Sequence, residues 1–84
     1  MHPKRWLELL AIYGSPLYVY DGDRLDETLR SIPTKVGYPQ TTYCFAVVTN
    51  GNLALLRRVH RAGWSLHANT PGDIYLGLQA GFSP

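Results

Sequence analysis

Apolar residues recur at three- and four-residue spacing in four stretches of the chain and cluster in three shorter blocks, so helical and strand-like patterning alternate. Trp6, Leu9, Leu10 and Tyr13 form the first stripe, with Gly14 placed as a left-handed stop. Ser15-Pro16 interrupts the pattern, and Leu17-Tyr18-Val19-Tyr20 has the β-branched and aromatic content of a strand. Asp21 or Asp23 then offers a cap for a helix striped by Leu25, Leu29 and Ile32, whose polar side carries Arg24, Asp26, Glu27 and Arg30. Pro33, lacking an amide hydrogen, is expected to close that helix.

Residues 33–42 hold Pro33, Gly37 and Pro39 among polar neighbours and read as a loop. From Tyr43 to Val48 the chain is apolar without alternation, the pattern of a parallel strand covered on both faces. Asn50 is the expected cap of the next helix, with Leu53, Leu56, Val59 and Ala62 on its apolar side, Arg57, Arg58 and Arg61 on its wetter side, and Gly63 at its end. Trp64 to Ala68 is a second strand. Thr70-Pro71-Gly72-Asp73 is the most definite helix start in the chain, combining a threonine cap, a proline at the first helical position and an acid three residues past the cap. Ile74, Leu76, Leu78 and Ala80 follow, Gly81 stops the helix, and Phe82-Ser83-Pro84 leads toward a further element.

Strand, helix, strand, helix in this order implies an α/β fold and a right-handed parallel unit. Residues 1–42 form a lead-in of helix, strand, helix and loop, and residues 43–84 form two strand–helix units. Composition narrows the picture. A chain of 84 residues buries only about 60% of its unfolded surface and is marginal by itself. A single cysteine, Cys44, excludes an intrachain disulfide and suits an inert thiol inside an apolar strand. Eight Lys and Arg against six Asp and Glu give a net charge of +2 without a long basic block, weak support for nucleic-acid binding. No apolar run reaches about 18 residues, and the start Met1-His2-Pro3-Lys4-Arg5-Trp6 lacks a secretory signal's apolar core, so a cytoplasmic location is expected.

Four segments, in order, resemble the fold-type III pyridoxal-phosphate decarboxylases, the family of diaminopimelate, ornithine and arginine decarboxylases with alanine racemases as distant relatives. Gly14-Ser15-Pro16-Leu17-Tyr18-Val19-Tyr20-Asp21 resembles the family's Gly-Thr-Pro opening and strand. Phe45-Ala46-Val47-Val48-Thr49-Asn50-Gly51-Asn52 resembles its Tyr-Ala-Val-Lys-Ala-Asn segment, and Thr70-Pro71-Gly72-Asp73 its Ser-x-Gly-Glu turn. The fourth is Ala80-Gly81-Phe82-Ser83-Pro84. The resemblance implies the amino-terminal portion of a (β/α)8 barrel, an incomplete fragment with about two of the eight units that a barrel of roughly 250 residues contains. It also implies pyridoxal 5′-phosphate in the family, held through a strand lysine that forms an imine. Val48 stands at that lysine's position and cannot form one; Thr49 offers only a hydroxyl, and Lys35 lies in the preceding loop. His67 falls where relatives carry an acid, and Asp73 keeps the charge of the family's glutamate on a shorter side chain.

The carboxyl ends of parallel barrel strands are where sites form, which places Val48, Thr49, Asn50, His67 and Asn69 together as the region to inspect. Each also has a plainer reading. Val48 is an ordinary packed strand residue, His67 a solvated strand-end residue, and Asn50 with Gly51 a simple cap rather than an anion site, since no Walker or dinucleotide pattern is present. His60 and His2 are surface or terminal, Trp6 and Trp64 packing anchors, and Arg57, Arg58 and Arg61 a solvated face. Tyr13, Tyr18, Tyr20, Tyr38, Tyr43 and Tyr75 suit a partner-facing surface.

The sequence therefore assigns no catalytic, cofactor-binding or metal-binding residue, and no cofactor is expected for this chain alone. It is expected to be a decarboxylase-like barrel fragment inactive by itself, or alternatively a non-catalytic interaction or oligomerisation remnant. Its expected partner is the remainder of a barrel or another copy of itself, with no nucleic acid and no membrane.

Overall fold

Local capping chemistry sets most element boundaries. The computed structural model describes residues 2–84, so Met1, part of the start read for a leader, lies outside the described residues. Helix α1 (Pro3–Tyr13) begins three residues before its apolar stripe because His2 caps it, Nδ1 accepting from the Lys4 amide at 3.1 Å, and Pro3 occupies the first turn. Gly14, at φ +80°, ends it and donates its amide to the Leu10 carbonyl at 2.8 Å. None of its residues is buried, Trp6 included, so Trp6 is no packing anchor.

The segment Leu17–Tyr20 is not a strand. Its alternation survives, with Leu17 and Val19 half-buried and Tyr18 and Tyr20 exposed, but it has no partner: the sheet among the described residues contains only two strands, both later in the chain. β-propensity alone does not make a strand when no ladder satisfies the backbone.

Helix α2 (Gly22–Lys35) is capped by Asp21, whose Oδ1 accepts from the amides of Asp23 and Arg24 at 3.1 and 3.3 Å. Pro33 lies inside this helix and does not close it. A proline there leaves the carbonyl four residues back, that of Leu29, without its helical donor. The indole Nε1–H of Trp64 donates to that carbonyl at 3.2 Å. In the same last turns Ser31 Oγ donates to the Thr28 carbonyl at 3.0 Å and Thr34 Oγ1 to the Ser31 carbonyl at 2.6 Å. Trp64→Phe deletes the indole donor while keeping an aromatic ring, and is expected to lower stability by about 1 to 2 kcal/mol, the usual cost of leaving a half-buried carbonyl unpaired. The midpoint of urea unfolding checks it.

Strand β1 (Cys44–Ala46) pairs in parallel with β2 (Ser65–His67), in the register Cys44 to Ser65, Phe45 to Leu66 and Ala46 to His67. The Ser65 amide donates to the Tyr43 carbonyl at 2.9 Å just ahead of the ladder, and the Tyr43 and Trp64 rings meet there with centroids 5.4 Å apart. Cys44, expected buried, is exposed at the start of β1. The strand is also shorter than its apolar run, because Val47–Thr49 curls into one 3₁₀ turn closed by the Asn50 amide on the Val47 carbonyl at 3.0 Å.

Helix α3 (Leu53–Arg61) is capped by Asn52 rather than Asn50. The Asn52 Oδ1 accepts from the Ala54 and Leu55 amides, while Asn50 Oδ1 accepts from the Asn52 amide and braces the cap from outside. Leu56 and Val59 are fully buried on the predicted stripe, and Gly63, at φ +84°, turns the chain into β2. Helix α4 (Pro71–Ala80) starts as its sequence requires: Asp73 donates its amide to Thr70 Oγ1 at 3.1 Å, and Asp73 Oδ2 accepts from the Asn69 amide at 3.0 Å. Thr70→Ala is expected to cost about 1 kcal/mol through loss of that cap, read from the thermal midpoint.

Val47, Leu56 and Ala80 form the core, with Phe45, Leu53, Leu55, Leu66, Leu76 and Phe82 packed around them. Ile74 and Leu78, on the same predicted stripe of α4 as Ala80, are exposed. The whole is thin and open, measuring 45 × 33 × 17 Å with a radius of gyration of 15.1 Å, against about 12 Å for a compact domain of this length. Its 6425 Å² of accessible surface likewise exceeds the roughly 5,000 Å² of a compact monomer of this mass.

Candidate functional site

The parallel pairing carries β1 and β2 to the same end, so the 3₁₀ turn Val47–Thr49 and the segment Ala68–Asn69 leave the sheet side by side, after the register partners Ala46 and His67. A 3₁₀ turn rotates each side chain about a third of a circle from the last. Val47 therefore points into the core at 2% exposed, and Val48 points out at 71% exposed. The expectation that Val48 packs as an apolar strand residue is corrected on this point: the buried valine is its neighbour. A β-branched apolar side chain thus occupies an outward position at the strand ends, where a functional group would meet solvent or a ligand.

Of the other strand-end residues, Thr49 and His67 are exposed, and their side chains make no hydrogen bond among the described residues. Asn50 is occupied in bracing the α3 cap, and Asn69 gives its amide to Asp73. Asp73 spends both its amide and its carboxylate on the start of α4. The Asn52 carboxamide already accepts from two first-turn amides of α3, so an anion at that helix start would have to displace it. No group of three or more His, Cys, Asp or Glu able to hold a metal ion exists among the described residues.

Comparison with known proteins bears on what this end of the sheet is. No protein-family model matches the chain, and no solved structure matches it with significance. Curated proteins do match. Diaminopimelate decarboxylase of Methanothermobacter thermautotrophicus is 38% identical over 80 residues, 93% of this chain and 19% of the relative. Those of Aquifex aeolicus and Vibrio cholerae are 30% and 33% identical over 77 residues, 92% of this chain and 18% of each relative. The chain is a homologue of part of the diaminopimelate decarboxylases. It spans about a fifth of the length of the relatives it matches.

Diaminopimelate decarboxylases belong to a pyridoxal-phosphate-dependent family, so the strand ends can be tested for fit to that cofactor. Covalent attachment of its aldehyde needs a primary amine. None is present: residues 47–50 and 67–69 contain no lysine, and the two lysines of the chain lie in α1 (Lys4) and at the end of α2 (Lys35). The residues at the strand ends therefore do not fit covalent attachment of the cofactor.

Sequence reasoning missed the Arg58–Asp26 ion pair, which joins α3 to α2 at 2.6 Å with each side chain one-third exposed. The sequence pattern groups Arg58 with Arg57 and Arg61 as one solvated face. A residue pair 32 positions apart leaves no periodic signal, though Asp26 on the polar side of α2 and Arg58 beside the Leu56–Val59 stripe were both available as rim positions.

No helix among the described residues is long and apolar enough to cross a membrane.

Proposed function

We propose that this chain supplies the first two strand–helix units of a diaminopimelate-decarboxylase-like (β/α)8 barrel, preceded by a short lead-in, and that it has no decarboxylase activity by itself. The observation that carries this reading is the parallel β1–α3–β2–α4 order in a stretch homologous to about a fifth of those enzymes. The missing amine at position 48, and the greater part of a barrel that the chain does not span, account for the inactivity.

Both edges of the two-stranded sheet lack a further strand among the described residues, and Ile74 and Leu78 of α4 are exposed beside Phe82 and Pro84 in an apolar groove next to β2. That arrangement suits a further strand and helix laid against β2 and α4. The occupant is the remainder of a homologous barrel. The experiment is reconstitution with the Methanothermobacter thermautotrophicus decarboxylase lacking the stretch that this chain matches. Native mass spectrometry is expected to show a one-to-one complex. Self-association of the chain, with no binding to the truncated enzyme, would reject the barrel reading in favour of the oligomerisation remnant.

A further inference from the structure

Packing of α2 against α3 leaves a cleft that shares no residue with the strand ends. It is lined by Asp26 and Arg30 of α2 and by Arg58, Arg61 and Ala62 from the end of α3. Its one carboxylate is already committed, since Asp26 Oδ2 accepts from Arg58 Nη1. Arg30 and Arg61 make no ion pair among the described residues. Three guanidinium groups therefore line one cleft against a single engaged carboxylate, leaving two positive charges uncompensated.

Arg58 also lies close against Gly22. Gly22, the first residue of α2, has no side chain, and a Cβ built there would overlap the Arg58 guanidinium. A guanidinium paired with Asp26 and seated against the Gly22 backbone has less rotamer freedom left to lose when it meets a ligand. Arg58, His60 and Arg61 in the last turn of α3 also complement that helix's negative end. That accounts for charge on α3 but not for Arg30, which reaches the same cleft from α2.

We propose that the α2–α3 cleft is a binding site for a small phosphoryl dianion. Two uncompensated charges match a dianion better than a single carboxylate, and the planar forks of arginine suit phosphate oxygens. No aromatic side chain lines the cleft, so it offers no stacking platform for a nucleic-acid base.

The test titrates inorganic phosphate into the 84-residue chain against chloride at matched ionic strength, following the arginine Nε–H signals by NMR. Saturable shifts are expected together at Arg30, Arg58 and Arg61. Arg61→Gln and Arg30→Gln, both at exposed positions, are each expected to weaken binding about tenfold, the scale of one hydrogen bond to a charged group. Arg57→Gln removes the same charge from the same helix without touching the cleft, and should change affinity less than about twofold. Equal weakening by Arg57→Gln and Arg61→Gln would reduce the effect to diffuse charge and overturn the site, as would a response to phosphate no more saturable than that to chloride.

Discussion

Leu56→Ala is expected to abolish the cooperative unfolding transition of the isolated chain. Leu56 is 0% exposed and lies at the centre of the core with Val47 and Ala80. Truncating such a leucine costs about 2 to 5 kcal/mol, the larger values applying where neighbours cannot collapse into the space. At the low end of typical stability, about 0.05 kcal/mol per residue, a chain of this size has roughly 4 kcal/mol in all. The low end is appropriate because so much of the surface stays wet. Circular dichroism on heating should show a shallow, featureless decline for the variant where the parent melts sigmoidally. The adjacent valines supply an internal contrast. Val47→Ala should cost about 1 kcal/mol or more as a buried truncation, whereas Val48→Ala, on the outward side of the same turn, should stay within about 0.5 kcal/mol. A Leu56→Ala chain that melts within a few degrees of the parent would show that the core described here does not hold the fold.

The second large effect is chemical. Val48→Lys places a primary amine on the outward position of the 3₁₀ turn at little cost in stability, because residue 48 is already 71% exposed. In the isolated chain, reductive labelling with pyridoxal phosphate and borohydride should modify residue 48 no faster than Lys4 or Lys35, since the proposed phosphoryl-binding cleft between α2 and α3 shares no residue with the strand ends. In the reconstituted complex with the truncated decarboxylase, residue 48 should be labelled much faster than either, because positioning raises effective concentration by orders of magnitude. Peptide mass mapping reads both results. Equal labelling of all three lysines in a complex that does form would remove position 48 from the cofactor's site.

The helices were more legible in the sequence than the strands, for a physical reason. Helix caps and stops are local: Thr70 with Asp73, and Gly14, Gly63 and Gly81 at their positive φ angles, act within a turn of themselves. Strand identity depends on partners elsewhere, so Leu17–Tyr20 kept the composition of a strand and lost the structure, while Tyr43–Val48 gave up its last residues to a turn. The inspected strand ends did come together as the order of elements implied. Which valine faced outward did not follow from the sequence, because a change from a two-residue to a three-residue period at Ala46–Val47 reverses the assignment. The error at Pro33 has the same origin. A proline stops a helix when its orphaned carbonyl has only solvent, and here the donor comes from Trp64, 35 residues away from Leu29.

That indole also gives the molecule an intrinsic optical gauge. Of two tryptophans, Trp6 sits on an exposed helix that buries nothing, whereas Trp64 is half-buried between α2 and the start of the sheet, against Tyr43. With Trp6 replaced by phenylalanine, the emission maximum of the remaining tryptophan reports whether α2 is seated on the sheet. Detachment of that one helix then becomes visible separately from melting of the whole.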